Sequence, residues 1–388
     1  MKTVRVAMLL DNPLNPDPRV WREAITLKEF GYDVTIFCQQ GDGLPDFEEI
    51  EGVRIRRVFR YKLGTSVLVD KYLTAHFQLK EALDQEGRFD VYHCHDVETW
   101  PLGYILAKEN HSLWVADAHE YFPDDLFREN YPDEHKYQTA KLLAKNRGQY
   151  IREADGVITV SHDIAEALKE EFQLECPIAA VYNTRLEKHE VTADKAKFRE
   201  RFGFGPGERI LVFAGILRKD RGIPNLIELI GKLPENYKLL IIGDGFHAKY
   251  AAEMQRTNSR VMYLGQLPYQ EMINYVYASD AYVYFRDIAL TQGIKNYHFQ
   301  MPNKFFDAIF SGIPFFAYKG SSTDQYIEKF NIGKCFDPDD SFEQIAECIH
   351  RDLENGEFLN GFYADAKDYF SWKRQRDRLG ALYDQLLH

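Results

Sequence analysis

Short apolar runs recur along this chain, each followed by a polar loop and then a helical pattern. Val4 to Leu10 is the first; Arg209-Ile210-Leu211-Val212-Phe213-Ala214-Gly215 and Tyr237-Lys238-Leu239-Leu240-Ile241-Ile242-Gly243-Asp244-Gly245 are later ones. A run that does not alternate with polar residues suits a strand buried on both faces, as in a parallel sheet covered by helices. The fold class this predicts is α/β. With 388 residues the chain has room for two or three such domains.

In the first unit Asp17 is placed to cap a helix with Pro18 at its first position. The helix runs from Arg19 to Phe30, Gly31 ends it, and Val34 to Cys38 is the second strand. Ligands of doubly wound folds sit at the carboxyl ends of such strands. Three further strand ends carry polar clusters: His93-Cys94-His95-Asp96, Asp117-Ala118-His119-Glu120, and Thr159-Val160-Ser161. A metal held by His93, His95 and His119 is not expected, because His93 and His95 are read as pointing to opposite faces of their strand. The acidic pairs Asp124-Asp125 and Asp339-Asp340 read as loop or capping residues. Residues 135–152 read as a polar helix, and Val181 to Thr184 as the last strand of this domain. The charged, glycine-bearing stretch 185–208 reads as linker and hinge.

The second series starts at Arg209. Its first loop, Ile216-Leu217-Arg218-Lys219-Asp220-Arg221-Gly222, sets cations beside a helix start, which suits a diphosphate. Strands at 261–265 and 281–285 follow, then a loop at 287–301. Next comes Pro302-Asn303-Lys304-Phe305-Phe306-Asp307-Ala308-Ile309-Phe310-Ser311-Gly312-Ile313-Pro314, read as a short helix feeding a buried strand. Pro302 suits the first helical position and Gly312 the left-handed stop. Asn303, Lys304 and Asp307 share its polar face. A cation, free N–H groups and a carboxylate together suit a nucleoside diphosphate with its ribose. On spacing alone, an ordinary surface helix is the preferred reading.

The net charge of −12 argues against nucleic acid as a partner. The strand Arg54 to Lys62 reads as a charged surface strand with its arginines in solvent; the sharper alternative is a basic patch for anionic lipid or an acceptor phosphate. No apolar run approaches the roughly 20 residues of a spanning helix, and the first ten residues read as a strand rather than a signal peptide. Five widely spaced cysteines suggest neither a disulfide framework nor a zinc site. A cytoplasmic protein is expected.

These stretches resemble, in order and over nearly the whole chain, the retaining glycosyltransferases of GT-B fold, of the glycosyl transferases group 1 and family 4 type. The resemblance rests on Asp17-Pro18-Arg19 with Glu23-Ala24, on the His-x-His-Asp and Asp-Ala-His-Glu strand ends, on Gly215 to Gly222, on Gly243-Asp244-Gly245, and on Pro302-Asn303-Lys304-x-x-Asp307 with Gly312-x-Pro314. It implies two Rossmann-like domains facing across a cleft. The first, 1–184 with 370–388, would bind the acceptor, and its final helix would cross back to it. The second, 185–369, would bind the donor, with closure about the hinge.

The resemblance implies that His119 lies near the reacting sugar, making it the catalytic candidate. Asp307 would bind the ribose in place of the family glutamate. Lys304 and Asn303 would face the diphosphate. Aligned on Gly215 and Gly222, the family arginine position is Ile216 and the lysine position is Arg221, so Arg221 is the main phosphate cation and Arg218 a replacement for the missing one. Gly215, Gly243 and Gly245 would let the donor approach the backbone. Asp17, Arg19, His95 and Glu120 are acceptor-side candidates. The family's first acidic residue is absent, with Phe299 in its place.

The implied activity is transfer of a sugar from a UDP- or GDP-sugar to an acceptor hydroxyl with retention, without cofactor or catalytic metal. The implied setting is polysaccharide or glycolipid synthesis, with a glycan or lipid-linked acceptor and peripheral contact with the inner membrane face. The alternatives are a nucleotide-sugar 2-epimerase, an inactive nucleotide-sugar-binding scaffold, and a nicotinamide dehydrogenase. The last is disfavoured by the absence of Gly-x-Gly-x-x-Gly.

Overall fold

The apolar runs become the strands of two sheets in the computed structural model, which describes residues 3–15, 17–60, 68–122, 133–184, 195–299, 301–358 and 361–388. The chain divides into two compact units, Met1–Asn183 with Gln375–His388, and Thr184–Arg374.

The first unit holds β1 (Arg5–Leu9), α1 (Pro18–Glu29), β2 (Asp33–Gln39), β3 (Phe47–Ile50), β4 (Val53–Phe59), α2 (Leu68–Glu86), β5 (Val91–His95), α3 (Asp96–Asn110), β6 (Leu113–Ala118), α4 (Glu134–Gly148), β7 (Gly156–Thr159), α5 (His162–Phe172) and β8 (Ile178–Ala180). The sheet order is β3-β4-β2-β1-β5-β6-β7-β8. Among the described residues only β3 pairs antiparallel, in a hairpin with β4. Order reverses at β1, which pairs with β2 on one side and β5 on the other. Crossovers leave the sheet in opposite directions there, the place where doubly wound folds bind ligands.

The second unit holds α6 (Lys195–Arg201), β9 (Arg209–Ala214), α7 (Ile223–Lys232), β10 (Tyr237–Ile242), α8 (Ala248–Thr257), β11 (Val261–Tyr263), α9 (Tyr269–Ala278), β12 (Ala281–Tyr284), α10 (Ile288–Thr291), α11 (Lys295–Phe299), α12 (Asn303–Ser311), β13 (Phe315–Tyr318), α13 (Asp324–Phe330), β14 (Gly333–Phe336), α14 (Phe342–Glu354) and α15 (Tyr363–Tyr369). Its order, β11-β10-β9-β12-β13-β14, reverses at β9. Val212, Phe213, Leu240, Ile241 and Val283 are fully buried, as strands covered on both faces require.

Several expectations change. The last strand of the first sheet is β8, ending at Ala180 rather than spanning 181–184. Of the proposed hinge, 185–194 lie outside the described residues, and 195–208 belong to the second unit: α6 leads into Phe202, which stacks on Tyr275 of α9 at 3.7 Å. The 287–301 loop contains α10 and α11. The return to the first unit comes at Gln375, not 370, because Phe370 packs on Phe306 and Tyr326 at 5.2 and 5.1 Å. The final helix, α16 (Trp372–Leu387), then runs in the first unit, where Tyr383 stacks on Tyr32 at 5.6 Å and Arg378 donates to the Ala180 carbonyl.

The arginines of β4 are paired. Arg54 meets Asp33, Arg56 meets Glu86, and Arg60, just past the strand, meets Asp42. Arg57 is buried and donates to the Pro13 and Pro45 carbonyls. The strand's arginines are thus engaged within the chain rather than left to solvent. Asp340 accepts from the Asp337 amide, a loop role, whereas Asp124-Asp125 lie outside the described residues. No helix among the described residues is long and apolar enough to cross a membrane.

Candidate functional site

In the second unit the carboxyl ends of β9 and β10 meet the start of α12. Pro302 is the residue before the helix rather than its first, and Gly312 closes it with φ +67° while donating to the Ala308 carbonyl. Phe305, Phe306 and Ile309 are buried, which turns Asn303, Lys304 and Asp307 toward a cavity of about 580 Å³. Gly215, Ile216, Gly243, Asp244, Tyr269 and Met272 complete much of its wall.

The two glycines there are required. Gly243 has φ +138°, and a Cβ on it would lie 1.9 Å from the Gly215 carbonyl oxygen. Gly215 has φ +140°, and a Cβ there would come within 2.8 Å of Lys304 Nζ. Bare backbone thus lines this side of the cavity.

Lys304 carries the site's electrostatics. Burial, then the nearby Arg221, lower its pKa to about 7. Its Nζ lies 5.4 Å from the Phe213 ring and 5.6 Å from the Tyr284 ring. Arg221 approaches the same Tyr284 ring at 5.8 Å and donates from Nη1 to its hydroxyl. Asp307 is buried and accepts from the Tyr269 hydroxyl at 3.3 Å.

Not every sequence candidate reaches the cavity. Arg218, Arg221 and Gly245 are absent from its lining. Arg218 is clamped on Asp220 through Nε and Nη2, both at 3.0 Å. Arg221 Nε lies 3.3 Å from the same carboxylate, and Tyr297 donates to it at 2.8 Å. Asp220 and Tyr284 therefore organise the cations, and sequence reasoning missed both. Tyr284 ends a buried strand and looks like core; Asp220 is one acid among four charges in its loop.

In the first unit the polar strand ends converge at the β1–β5–β6 edge. Arg19 is buried and meets Asp117 through Nη2 at 2.8 Å and Glu23 at 3.1 Å. His95 Nδ1 and His119 Nε2 both donate to Asp117 Oδ2, at 2.9 and 3.0 Å. Burial pushes Asp117 toward protonation, but Arg19 and then His119 hold it well below the usual carboxylate range. Burial would lower His119, but Asp96 and Asp117 raise it to about 9. Burial raises Glu23 to about 7 despite Arg19.

His93 and His95 are not on opposite faces. Residues two apart on a strand share a face, and their rings stack at 4.5 Å. With Glu23 and Asp117 they form a buried set whose ligand atoms lie within 4.8 Å of one another. Such a donor set suits a borderline cation, yet Arg19 already spans both carboxylates. His119 is not in that set.

Asp17 caps α1 by accepting from Val20 N and Asn12 Nδ2. Ser161 likewise caps α5 through Ile164 N at 3.1 Å. Arg19 and His95 are buried, so they support rather than present a surface, whereas Glu120 is exposed.

Comparison with known proteins agrees with this architecture. The family model Glycosyltransferase Family 4 matches residues 19–184, and Glycosyl transferases group 1 matches residues 194–369. TuaC of Bacillus subtilis, named for teichuronic acid biosynthesis, is 23% identical over 308 residues, covering 73% of this chain and 74% of its own. The sucrose-phosphate synthase of Thermosynechococcus elongatus superposes with a TM-score of 0.78 at 16% identity, covering 99% of each chain. HepE of Anabaena, solved with UDP-glucose, superposes with a TM-score of 0.69 at 15% identity, covering 98% of this chain and 99% of its own. The chain belongs to the GT-B glycosyltransferases, with a family 4 first half and a group 1 second half.

Proposed function

We propose that this glycosyltransferase moves a sugar from a nucleoside-diphosphate sugar to an acceptor hydroxyl with retention of configuration. The observation that carries the reading is the cavity joining bare backbone at Gly215 and Gly243 to Lys304 and Asp307. A diphosphate placed against the start of α12 would meet free N–H groups and an ammonium without an ion-pair partner among the described residues. Lys304 and that helix start would stabilise the charge developing on the departing diphosphate. Arg221 would act from behind Tyr284. Asp307, steadied by Tyr269, would hold the ribose hydroxyls, so its role is positioning.

HepE, with the same fold, was solved with UDP-glucose, which favours a uridine donor as the first to test. The departing diphosphate oxygen would take the proton of the acceptor hydroxyl, so neither an enzyme nucleophile nor a metal is needed. TuaC's name supports an acceptor in cell-surface polysaccharide synthesis.

The test is UDP release from UDP-glucose, with the anomeric configuration of the product read by NMR. Retained configuration and unchanged rate in EDTA are expected. An inverted product, or loss of activity restored only by a divalent cation, contradicts the reading.

A further inference from the structure

His93 and His95 share one face of β5, and Glu23 of α1 comes within 3.6 Å of His93. All three side chains are wholly buried. Buried polar atoms nearly always find a partner. Here neither His93 Nε2, nor His95 Nε2, nor either carboxylate oxygen of Glu23 has a hydrogen-bond partner among the described residues. A carboxyl and two imidazoles left unmatched in one place carry a large desolvation cost. A cation bound among them removes it.

The spacing suits a metal. Ligand atoms about 2.1 Å from a tetrahedral centre lie about 3.4 Å from one another. His93 Nε2 is 3.6 Å from Glu23 Oε2, and Glu23, His93, His95 and Asp117 each offer a ligand atom within 4.8 Å of the rest. The outer groups that orient metal ligands are also in place. His95 Nδ1 donates to Asp117 Oδ2 at 2.9 Å, and His93 Nδ1 lies 2.9 Å from the Tyr383 hydroxyl, which leaves Nε2 of each ring uncommitted. Arg19 pairs with Glu23 through Oε1 at 3.1 Å, so Oε2 stays open toward His93. The guanidinium then supports the carboxylate ligand rather than replacing the metal.

We propose that Glu23, His93 and His95 hold one zinc-type divalent cation in the core of the first unit, with Asp117, Tyr383 and Arg19 orienting the ligands. Two imidazoles and a carboxylate are a donor set for zinc. None of these side chains is exposed, so the site offers no position to a substrate and its work is structural: it ties α1 to β5. The proposal is independent of the sugar-transfer reading. Such a cation touches no substrate, and a chelator in solvent does not reach it in the folded chain.

The test is metal analysis of the full-length chain, expressed with zinc in the medium and passed through a chelating column. Plasma mass spectrometry should find about one zinc per chain. A chromogenic zinc chelator should register that zinc only after guanidinium unfolds the protein. His95→Gln and Glu23→Gln should each lower the zinc content about tenfold or more. If these variants fail to fold, the wild-type metal content still decides. A folded wild type with less than about a tenth of an equivalent of zinc or any other transition metal overturns the proposal, and the cluster then holds a proton or a water instead. Zinc kept at wild-type content by both variants also overturns it, because the metal then sits elsewhere. No arm of the test reads UDP release, so a metal-free wild type leaves the donor-site reading standing.

Discussion

The ammonium of Lys304, on a half-buried side chain, lies 5.4 Å from the ring centroid of Phe213, with no carboxylate in ion-pairing distance among the described residues. Burial and Arg221 bring its pKa down to about 7. At pH 8 much of this amine is neutral, whereas an arriving diphosphate favours the ammonium. Nucleotide binding should therefore take up a proton. Calorimetric titration of UDP at pH 8 in Tris and in HEPES should give enthalpies that differ by the buffers' ionisation heats. Lys304→Met should remove the difference; equal enthalpies for the wild type would contradict the role given to Lys304.

Asp220 joins Arg218, Arg221 and Tyr297 through one buried carboxylate. Removing one member of a buried ion pair leaves the others unmatched, at a cost of about 3 kcal/mol. Asp220→Ala should lower the melting temperature and weaken UDP binding at least tenfold, since Arg221 loses one of its two fixed partners. Wild-type UDP affinity in a folded Asp220→Ala protein would show that the loop cations are not set by this residue.

Much of the architecture is legible because it depends on local chemistry. Buried runs such as Ile210 to Ala214 make parallel strands, Asp17 caps α1, and Gly312 stops α12. What escapes the sequence is long-range. Arg221 and Tyr284 are 63 positions apart, and Arg19 and Asp117 are 98 apart, so nothing in either stretch announces the pairing. The face of the two histidines was legible in principle, since strand side chains repeat with period two.

Gly243 is a sterically determined position. A Cβ there would sit 1.9 Å from the Gly215 carbonyl oxygen, backbone that has little room to retreat. Gly243→Ala should cost more than about 4 kcal/mol, the diagnostic end of single-residue effects. Gly207→Ala, with nothing within 4 Å of the new Cβ, should change stability by less than about 0.5 kcal/mol. Chemical denaturation of both variants checks the contrast, and equal midpoints would refute it.

His119 makes stability depend on pH. Its folded-state pKa is raised to about 9 by Asp96 and Asp117 against the effect of burial, while the unfolded chain titrates near its ordinary value of about 6.5. The folded form holds the proton more tightly, so this contribution is full below about pH 6.5 and is lost as pH rises through 9. The melting-temperature gap between wild type and His119→Gln should shrink from pH 6.5 to 9.5. A gap that is constant or widens across that range would contradict the ion pairing.

The central claim is that the α12 cavity binds the donor nucleotide, and thermal stabilisation by UDP, GDP, ADP and NAD tests it most directly. A ligand that binds only the folded chain raises its melting temperature by mass action. UDP or GDP should shift the wild type, and Asp307→Ala should reduce that shift while leaving the unliganded protein folded. A shift by NAD alone, or a UDP or GDP shift that survives Asp307→Ala intact, would mean that the donor binds elsewhere.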